Sequence, residues 1–270
     1  MAERSDPQCD IRVGTSGYDY PEWEGPFYAR GLGRAEYLGA YSESFGTVEL
    51  AFPGPGAPDP GSLLAVAGKA RRPLDVALQA GPALTRDVDP AGWKAAARLF
   101  SAGLESLAAE GRLCAALLAF PASFRYRDDE RRYLDKALRE FSAFPLVVEF
   151  GGAEWFSSRV IEGLKSRGVG LCSSDFPRIE GMPPVSDLVT SDVAYVRFHG
   201  RDAEAWRSGD PGARRGYRYS SDELASWVPR LEAMSVEASR VRAFFRNRRG
   251  GNAALDAREL VRLAKAARLV

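Results

Sequence analysis

The amino-acid sequence predicts an α/β fold in which eight parallel strands close into a TIM-like (β/α)8 barrel that forms a single domain. Strand-like and helix-like segments alternate along the whole chain, and 270 residues is a usual length for one such barrel. The first strand runs into GTSGY (residues 14–18), which lacks the Gly-x-Gly-x-x-Gly spacing of an open, dinucleotide-binding sheet. We therefore favour a closed sheet, which leaves no unpaired edge.

Short segments rich in apolar and β-branched residues, bounded by turn-forming residues, mark the strands. The fourth and fifth are almost continuously apolar, as expected for parallel strands that are covered on both faces. The predicted strands are residues 11–15, 47–50, 75–80, 113–120, 146–150, 170–174, 194–198 and 239–245.

Segments with the length and composition of amphipathic helices lie between the strands. Loops rich in Pro and Gly at residues 52–61 and 181–184 fall within this alternation, so we interpret them as barrel loops and not as domain linkers. The predicted helices are residues 34–44, 62–70, 91–109, 129–141, 155–167, 222–234 and 255–267.

Composition argues against several classes of protein. The chain has 37 Lys and Arg against 36 Asp and Glu, so it lacks the overall positive charge of a dedicated nucleic-acid-binding protein. No signal peptide or membrane span is predicted. Cys9, Cys114 and Cys172 are far apart and read as reduced thiols. We expect a cytoplasmic protein without membrane contacts, in which about residues 1–10 form a flexible extension.

Polar residues stand at the carboxyl ends of several strands, where barrel enzymes keep their active sites. In the seventh strand Val196 and Phe198 share one face, whereas Tyr195, Arg197 and His199 share the other. Helices cover the outside of a barrel, so we expect the polar face to point towards the axis.

The same alternation applied to the other strands predicts one inward-facing polar cluster. Its charged members require partners, because desolvating an unpaired charge costs several kcal/mol. The predicted cluster consists of Glu49, Glu149, Asp175, Arg197, His199 and Asn247.

Two interpretations of the charged residues in this cluster stay open. In an active site, Glu49, Glu149 and Asp175 would act as bases or metal ligands, His199 as an acid, and Arg197 would stabilise developing negative charge. Three carboxylates and an imidazole could also hold a divalent metal. In a structural role, Arg197 with either glutamate would be a buried ion pair that braces the barrel.

Aromatic side chains gather in the loop after the first strand, where they could stack on a ligand or pack the loop against the barrel rim. Packing is the favoured role because large aromatics bury so much area. The residues predicted to bind a substrate are Tyr18, Trp23, Tyr195, Tyr217 and Asn247.

A tract of arginines at the last strand could meet the phosphates of a nucleic acid. Acidic residues flank the tract, however, and we interpret it as a solvated loop. These arginines are Arg240, Arg242, Arg246, Arg248 and Arg249.

Several motifs together resemble the YecE-like proteins, also called domain of unknown function 72, over nearly the whole chain. The resemblance implies a TIM-like barrel and a cytoplasmic protein, but it assigns no reaction. The motifs are IRVGTSGY (residues 11–18) with Trp23 and Phe27-Tyr28, FGTVE (45–49), VEF (148–150) with Trp155-Phe156, Leu171-Cys172 with Asp175 and Pro177, YVRFHG (195–200), and YRYS (217–220) with Glu223-Leu224 and Trp227.

The chain also departs from the pattern of that family at polar positions. Gln79 stands where a lysine is common, and Gly151-Gly152 replaces an Arg-His pair. At the end of the last strand the family has Asn-Asn-Asp, where this chain has Arg246-Asn247-Arg248. A later histidine of the family aligns near Gly250 of this chain. Without these donors the pocket binds an anionic group less tightly, which implies a divergent or inactive member of the family.

Two function classes follow. The first is a hydrolase that acts on a phosphorylated or nucleic-acid substrate, and it could use a divalent metal. The second is a catalytically inactive protein that binds a small molecule or serves in interactions. The expected partner is a small-molecule or phosphorylated ligand in the barrel mouth. Unpaired, converging carboxylates would support the first, and carboxylates fully paired with Arg197 would support the second.

Overall fold

Parallel strands wrap into a barrel in the computed structural model, which describes residues 9–51 and 59–270. The sheet order is β6-β5-β4-β3-β2-β1-β9-β8-β7, and every pairing is parallel. The strands are β1 (Asp10–Ser16), β2 (Thr47–Ala51), β3 (Asp75–Gln79), β4 (Leu113–Phe120), β5 (Leu146–Phe150), β6 (Gly170–Leu171), β7 (Ser173–Asp175), β8 (Val193–Phe198) and β9 (Arg240–Phe245).

The predicted sixth strand is divided into β6 and β7, with only Cys172 between them. The first half pairs with β5 and the second half with β8, so this strand changes partners along its length and joins the two ends of the sheet. The nine strands thus occupy the eight positions of a TIM-like barrel. The predicted fold class is confirmed.

Helices follow most of the strands, mostly where the sequence predicts them, but residues 176–192 between β7 and β8 contain no helix. They are α1 (Tyr37–Ser42), α2 (Pro60–Ala67), α3 (Pro82–Thr85), α4 (Trp93–Ala109), α5 (Asp128–Glu140), α6 (Ser158–Lys165), α7 (Ala203–Arg207), α8 (Pro211–Arg214), α9 (Ser221–Ala225), α10 (Val228–Glu237) and α11 (Asn252–Ala266). Short 3-10 turns occupy Pro21–Trp23, Arg34–Glu36, Ala153–Trp155 and Arg249–Gly251. None of the helices in the described part of the chain has the length and apolar character needed to cross a membrane.

Two differences from the predicted helices have local causes. The helix predicted at 222–234 is two helices, because Pro229 lacks an N–H and starts α10 in place of continuing α9. Helix α2 begins inside the predicted loop 52–61, where Asp59 accepts a hydrogen bond from the Ser62 N–H at 3.0 Å. Residues 52–58 of that loop, and residues 1–8 of the predicted extension, lie outside the described residues.

Side-chain alternation divides the core into two parts. Val196 and Phe198 belong to the large apolar layer between sheet and helices, as predicted, together with Val148 and Phe150. A smaller cluster that includes Tyr195 fills the barrel interior below the mouth. The strands therefore deliver their polar inward-facing side chains to the two ends of this interior.

Candidate functional site

Arg197 is the centre of a buried ion cluster at the carboxyl ends of the strands. Its side chain is fully buried, and one terminal nitrogen lies 2.7 Å from Glu49 Oε1 on β2. The other donates to Glu149 Oε2 on β5, and Gln79 Oε1 on β3 accepts a third bond at 3.0 Å. Both predicted carboxylates are therefore paired with the same arginine.

Neighbouring hydroxyl groups complete the contacts of Glu49. The Tyr195 hydroxyl donates to Glu49 Oε2 at 2.7 Å, and the Ser16 hydroxyl donates to Oε1, since the β1–β2 register sets Ser16 beside Glu49. Burial alone would raise the pKa of Glu49, but the charges of Arg197 and Arg246 hold it below its ordinary value. Glu49 is thus an ionised carboxylate with its oxygens occupied.

His199 is linked to the same cluster through Glu149. Its Nε2 lies 2.7 Å from Glu149 Oε1, which also accepts the Ser174 hydroxyl at 2.6 Å. Although burial opposes it, the charge of Arg197 and the hydrogen bond with His199 hold the pKa of Glu149 well below the usual range. Burial lowers the pKa of His199 to about 4, with Glu149 partly opposing the shift. At neutral pH the imidazole is therefore uncharged beside an ionised carboxylate.

Arg246 is a second cation at the barrel mouth, directly after β9. Its side chain is half-buried, and no hydrogen bond or ion pair joins its guanidinium to any other residue in the described part of the chain. Burial, followed by the charge of Arg197, lowers the pKa of Arg246. It also lies close enough to help lower the pKa of both glutamates.

The loops around Arg246 add further positive charge to the rim. The Arg248 guanidinium lies over the Tyr20 ring, 4.6 Å from its centroid, and 3.8 Å from Glu22. Burial and the neighbouring charge of Arg248 lower the pKa of Arg215, which follows β8. The loops after the last two barrel strands thus converge as a cationic rim.

Asp175 lies outside this cluster, which corrects its predicted inward orientation. Ser174 occupies the inward position of β7, so alternation turns Asp175 to the other face. There its carboxylate accepts two bonds at 3.0 Å from Arg201 and one at 3.2 Å from the Trp227 indole. Burial raises its pKa despite these donors.

Asn247 and Tyr217 belong to a separate network between the loop after β8 and helix α11. The Asn247 amide donates to Asp256 at 2.6 Å and to the Tyr217 carbonyl at 2.9 Å. The Tyr217 hydroxyl donates to Glu223 at 2.6 Å. The expectation that Asn247 faces the axis is wrong, because Phe245 belongs to the outer core and Asn247 continues the same face.

The two aromatic residues predicted from the first loop pack against the barrel rim. Trp23 is fully buried, and its indole N–H donates to the Arg248 carbonyl at 2.7 Å. Tyr18 is half-buried beside Tyr41, with ring centroids 6.2 Å apart. The packing role thus accounts for the contacts of both side chains.

Arg246, Ser16, Ser174 and Tyr20 were not among the predicted site residues. A signal for Arg246 was available, since it shares the alternating face of Phe244, which lies in the barrel interior. The same face carries Arg242, which is buried at the opposite end of the barrel and not part of a solvated tract.

The described residues contain no group of three or more His, Cys, Asp or Glu side chains placed to hold a metal ion. Two surface grooves lie among the outer helices and the loops that follow β3 and β4. One, of about 480 Å³, runs between α5 and α6, and another, of about 290 Å³, is lined by Thr85, Phe124 and Tyr133. Neither groove is lined by the buried ionisable groups. The barrel mouth is therefore the candidate site because of its charged side chains and not because of its volume.

Fold and site together define a parallel α/β barrel with a charged cluster at the carboxyl ends of its strands. The model of the family described as "Protein of unknown function DUF72" matches residues 12–269. This chain belongs to the DUF72 family, as the sequence motifs predicted.

Individual relatives agree with this assignment. The UPF0759 protein YunF of Bacillus subtilis is 28% identical over 175 residues, which are 61% of this chain and 62% of the relative. A DUF72 family protein of Thermotoga maritima is 27% identical, with a TM-score of 0.86 over 95% of this chain and 99% of that one. One from Enterococcus faecalis, at 22% identity, has the same fold, with a TM-score of 0.80 over 94% and 95%.

Proposed function

We propose that this protein binds a small phosphorylated molecule at the barrel mouth and does not act as a metal-dependent hydrolase. One observation carries the proposal: the guanidinium of Arg246 is half-buried beside the Arg197 cluster and has no hydrogen-bonding partner within the described residues. A partly buried cation without a protein partner gains from an anionic partner that the ligand supplies.

Position and chemistry support a phosphate as that partner. Arginine presents planar donors that match phosphate oxygens two at a time. The loops after the last two strands of a TIM-type barrel frequently form a phosphate site, and Arg246, Arg248 and Arg215 lie in those loops. Because Arg197 already balances part of the charge of both glutamates, the outer arginines give the rim a positive excess.

The hydrolase alternative has less support. Glu49 and Glu149 are both bound to Arg197, and Asp175 is held by Arg201 on another face. These carboxylates do not converge on a common point, as metal ligation requires. The arginine tract offers no single surface for a nucleic acid either, because Arg242 is buried at the other end of the barrel.

Thermal unfolding tests the proposal. Inorganic phosphate and a panel of phosphate monoesters should raise the Tm of the wild type, because a ligand that binds only the folded state stabilises it. Arg246→Met should abolish the shift. Arg98→Met removes an equal charge from an exposed position on helix α4 and should leave it intact.

Two results would contradict the proposal. The first is a panel without any Tm shift, or a shift that survives Arg246→Met. The second is hydrolysis of a phosphate ester by the wild type that requires Mg²⁺ or Mn²⁺ and disappears in Glu149→Gln.

A further inference from the structure

The protonation state of His199 fixes what this side chain can offer a ligand. Glu149 is ionised and can only accept hydrogen bonds, so the His199 Nε2 at 2.7 Å from Oε1 must be the donor. A neutral imidazole that is protonated at Nε2 presents a lone pair at Nδ1. Within the described residues no donor reaches Nδ1, so the site contains one unused acceptor.

Aromatic packing holds this acceptor in place. The Phe176 ring stacks on the imidazole with centroids 4.1 Å apart, and Trp206 meets it edge-on at 6.1 Å. Only 8% of the His199 surface remains exposed, so Nδ1 is an oriented group and not a mobile surface side chain. Preorganised acceptors of this kind discriminate well between ligands.

The unpartnered cation lies beside His199 at the ends of the strands, because the Arg246 N–H donates to the carbonyl of Phe198, the residue before His199, at 2.9 Å. The charge of Arg246 acts on His199 and, after burial, helps to keep the imidazole neutral. A protonated amine would be repelled by Arg246 and Arg197, whereas a neutral hydroxyl can donate to Nδ1 without this cost. Anion and hydroxyl are therefore the two features that the outer layer of the mouth recognises.

We propose that the ligand is a phosphate monoester of a polyol or sugar, whose phosphate meets Arg246 and whose hydroxyl donates to Nδ1 of His199. This inference rests on the proposed function. It names His199 as a specificity-determining residue that touches the ligand. A ligand without the hydroxyl leaves the buried acceptor unpaired, which weakens binding by roughly tenfold or more.

Titration calorimetry with matched ligands tests the inference on the full chain. Methyl phosphate carries the anion alone, glycerol 3-phosphate adds hydroxyls, and glycerol carries hydroxyls alone. Wild type should bind glycerol 3-phosphate roughly tenfold more tightly than methyl phosphate and glycerol not measurably. This comparison needs no variant, so it stands even if a substitution prevents folding.

His199→Phe preserves the ring that stacks on Phe176 but removes the Nδ1 acceptor, together with the Nε2 donor to Glu149. It should lose the preference for glycerol 3-phosphate, so that the ratio of the two dissociation constants falls from roughly ten to about one. Arg246→Met should lose both ligands. Equal affinity for the two phosphates in the wild type, or a preference that survives His199→Phe, would overturn this inference and leave the proposed function standing. If no phosphate binds at all, both are wrong.

Discussion

Two buried arginines occupy opposite ends of the barrel, and their surroundings differ in one respect. At the amino-terminal end Arg242 binds Asp75 at 2.7 Å and Asp10 at 2.6 Å, and the Asp10 carbonyl accepts a further bond. The nearby Arg12 is also paired, with the same two aspartates. At the mouth Arg197 is paired in the same way, but Arg246 beside it is not.

This difference distinguishes a structural ion cluster at the amino-terminal end from a binding site at the mouth. The cluster around Arg242 contains two arginines and two aspartates, and each cation has a protein partner. The inner part of the mouth likewise contains two arginines and two glutamates, yet Arg246 and Nδ1 of His199 remain without protein partners in the described residues. Residues of a site are expected to keep unused capacity of this kind, at some cost in stability.

Substituting Arg197 or Arg242 should produce the largest losses in the free energy of unfolding. The two losses show which end of the barrel depends more on its arginine. Arg197→Met leaves two fully buried carboxylates without their cation and should lower the free energy of unfolding by about 3–5 kcal/mol. Arg242→Met should cost less, because Asp10 is 43% exposed and water can solvate it. Urea unfolding of both variants measures the difference. A larger loss in Arg242→Met would reverse the comparison.

The mouth should also show a pH dependence that comes from His199. The pKa of His199 is lowered to about 4, whereas an unfolded histidine titrates near 6.5. Between these values the unfolded chain binds more protons, so falling pH destabilises the fold. Relative to His199→Phe, wild type should lose up to about 3 kcal/mol from pH 7 to pH 4.

The paired measurement is needed because Asp256 acts in the opposite direction. Burial raises its pKa to about 6, so protonation below that value stabilises the folded state. Asp256 is present in both proteins, and its contribution cancels in the difference. A difference that stays constant between pH 7 and pH 4 would mean that His199 is charged in the folded protein.

A smaller effect is expected from the hydroxyl groups that complete the cluster. Tyr195→Phe removes the bond to ionised Glu49 and should cost about 1.5–3 kcal/mol, the range for hydrogen bonds to charged groups. Tyr18→Phe is the control, because its hydroxyl has no partner within the described residues. Equal unfolding free energies for the two variants would show that Glu49 keeps its charge without Tyr195.

The succession of strand-like and helix-like segments predicted the fold, and side-chain alternation predicted the inner part of the cluster. Glu49, Glu149 and Arg197 lie within strands whose apolar neighbours face the helices, and His199 directly follows such a strand, so their direction could be derived from the sequence. Asp175 could not be placed in this way, because its strand divides at Cys172 and the alternation has to be counted from Ser174.

The partners of each charge were beyond the reach of the sequence. The loss of donors suggested by the family resemblance is real at Gly151, where an added Cβ would lie 2.6 Å from the Ala122 nitrogen. The same comparison counted Arg246 only as a departure, although it brings a cation to the mouth. Alternation gives the face on which Arg246 lies, but whether its guanidinium meets a protein partner depends on packing between loops distant in sequence.

The smallest change in stability is expected for Arg246→Met, and this variant gives the most direct comparison of the two ends of the barrel. In Arg246→Met the loss of attraction to Glu49 and Glu149 is offset by relief of repulsion from Arg197 and of desolvation. The free energy of unfolding should stay within about 0.5 kcal/mol of wild type, as for the Arg98→Met control. A loss above about 2 kcal/mol would place Arg246 among the bracing cations, equivalent to Arg12 beside Arg242. Unchanged stability combined with a loss of phosphate binding would show that the two ends of the barrel differ in function. Only the mouth would then contain a cation whose role is to bind a ligand.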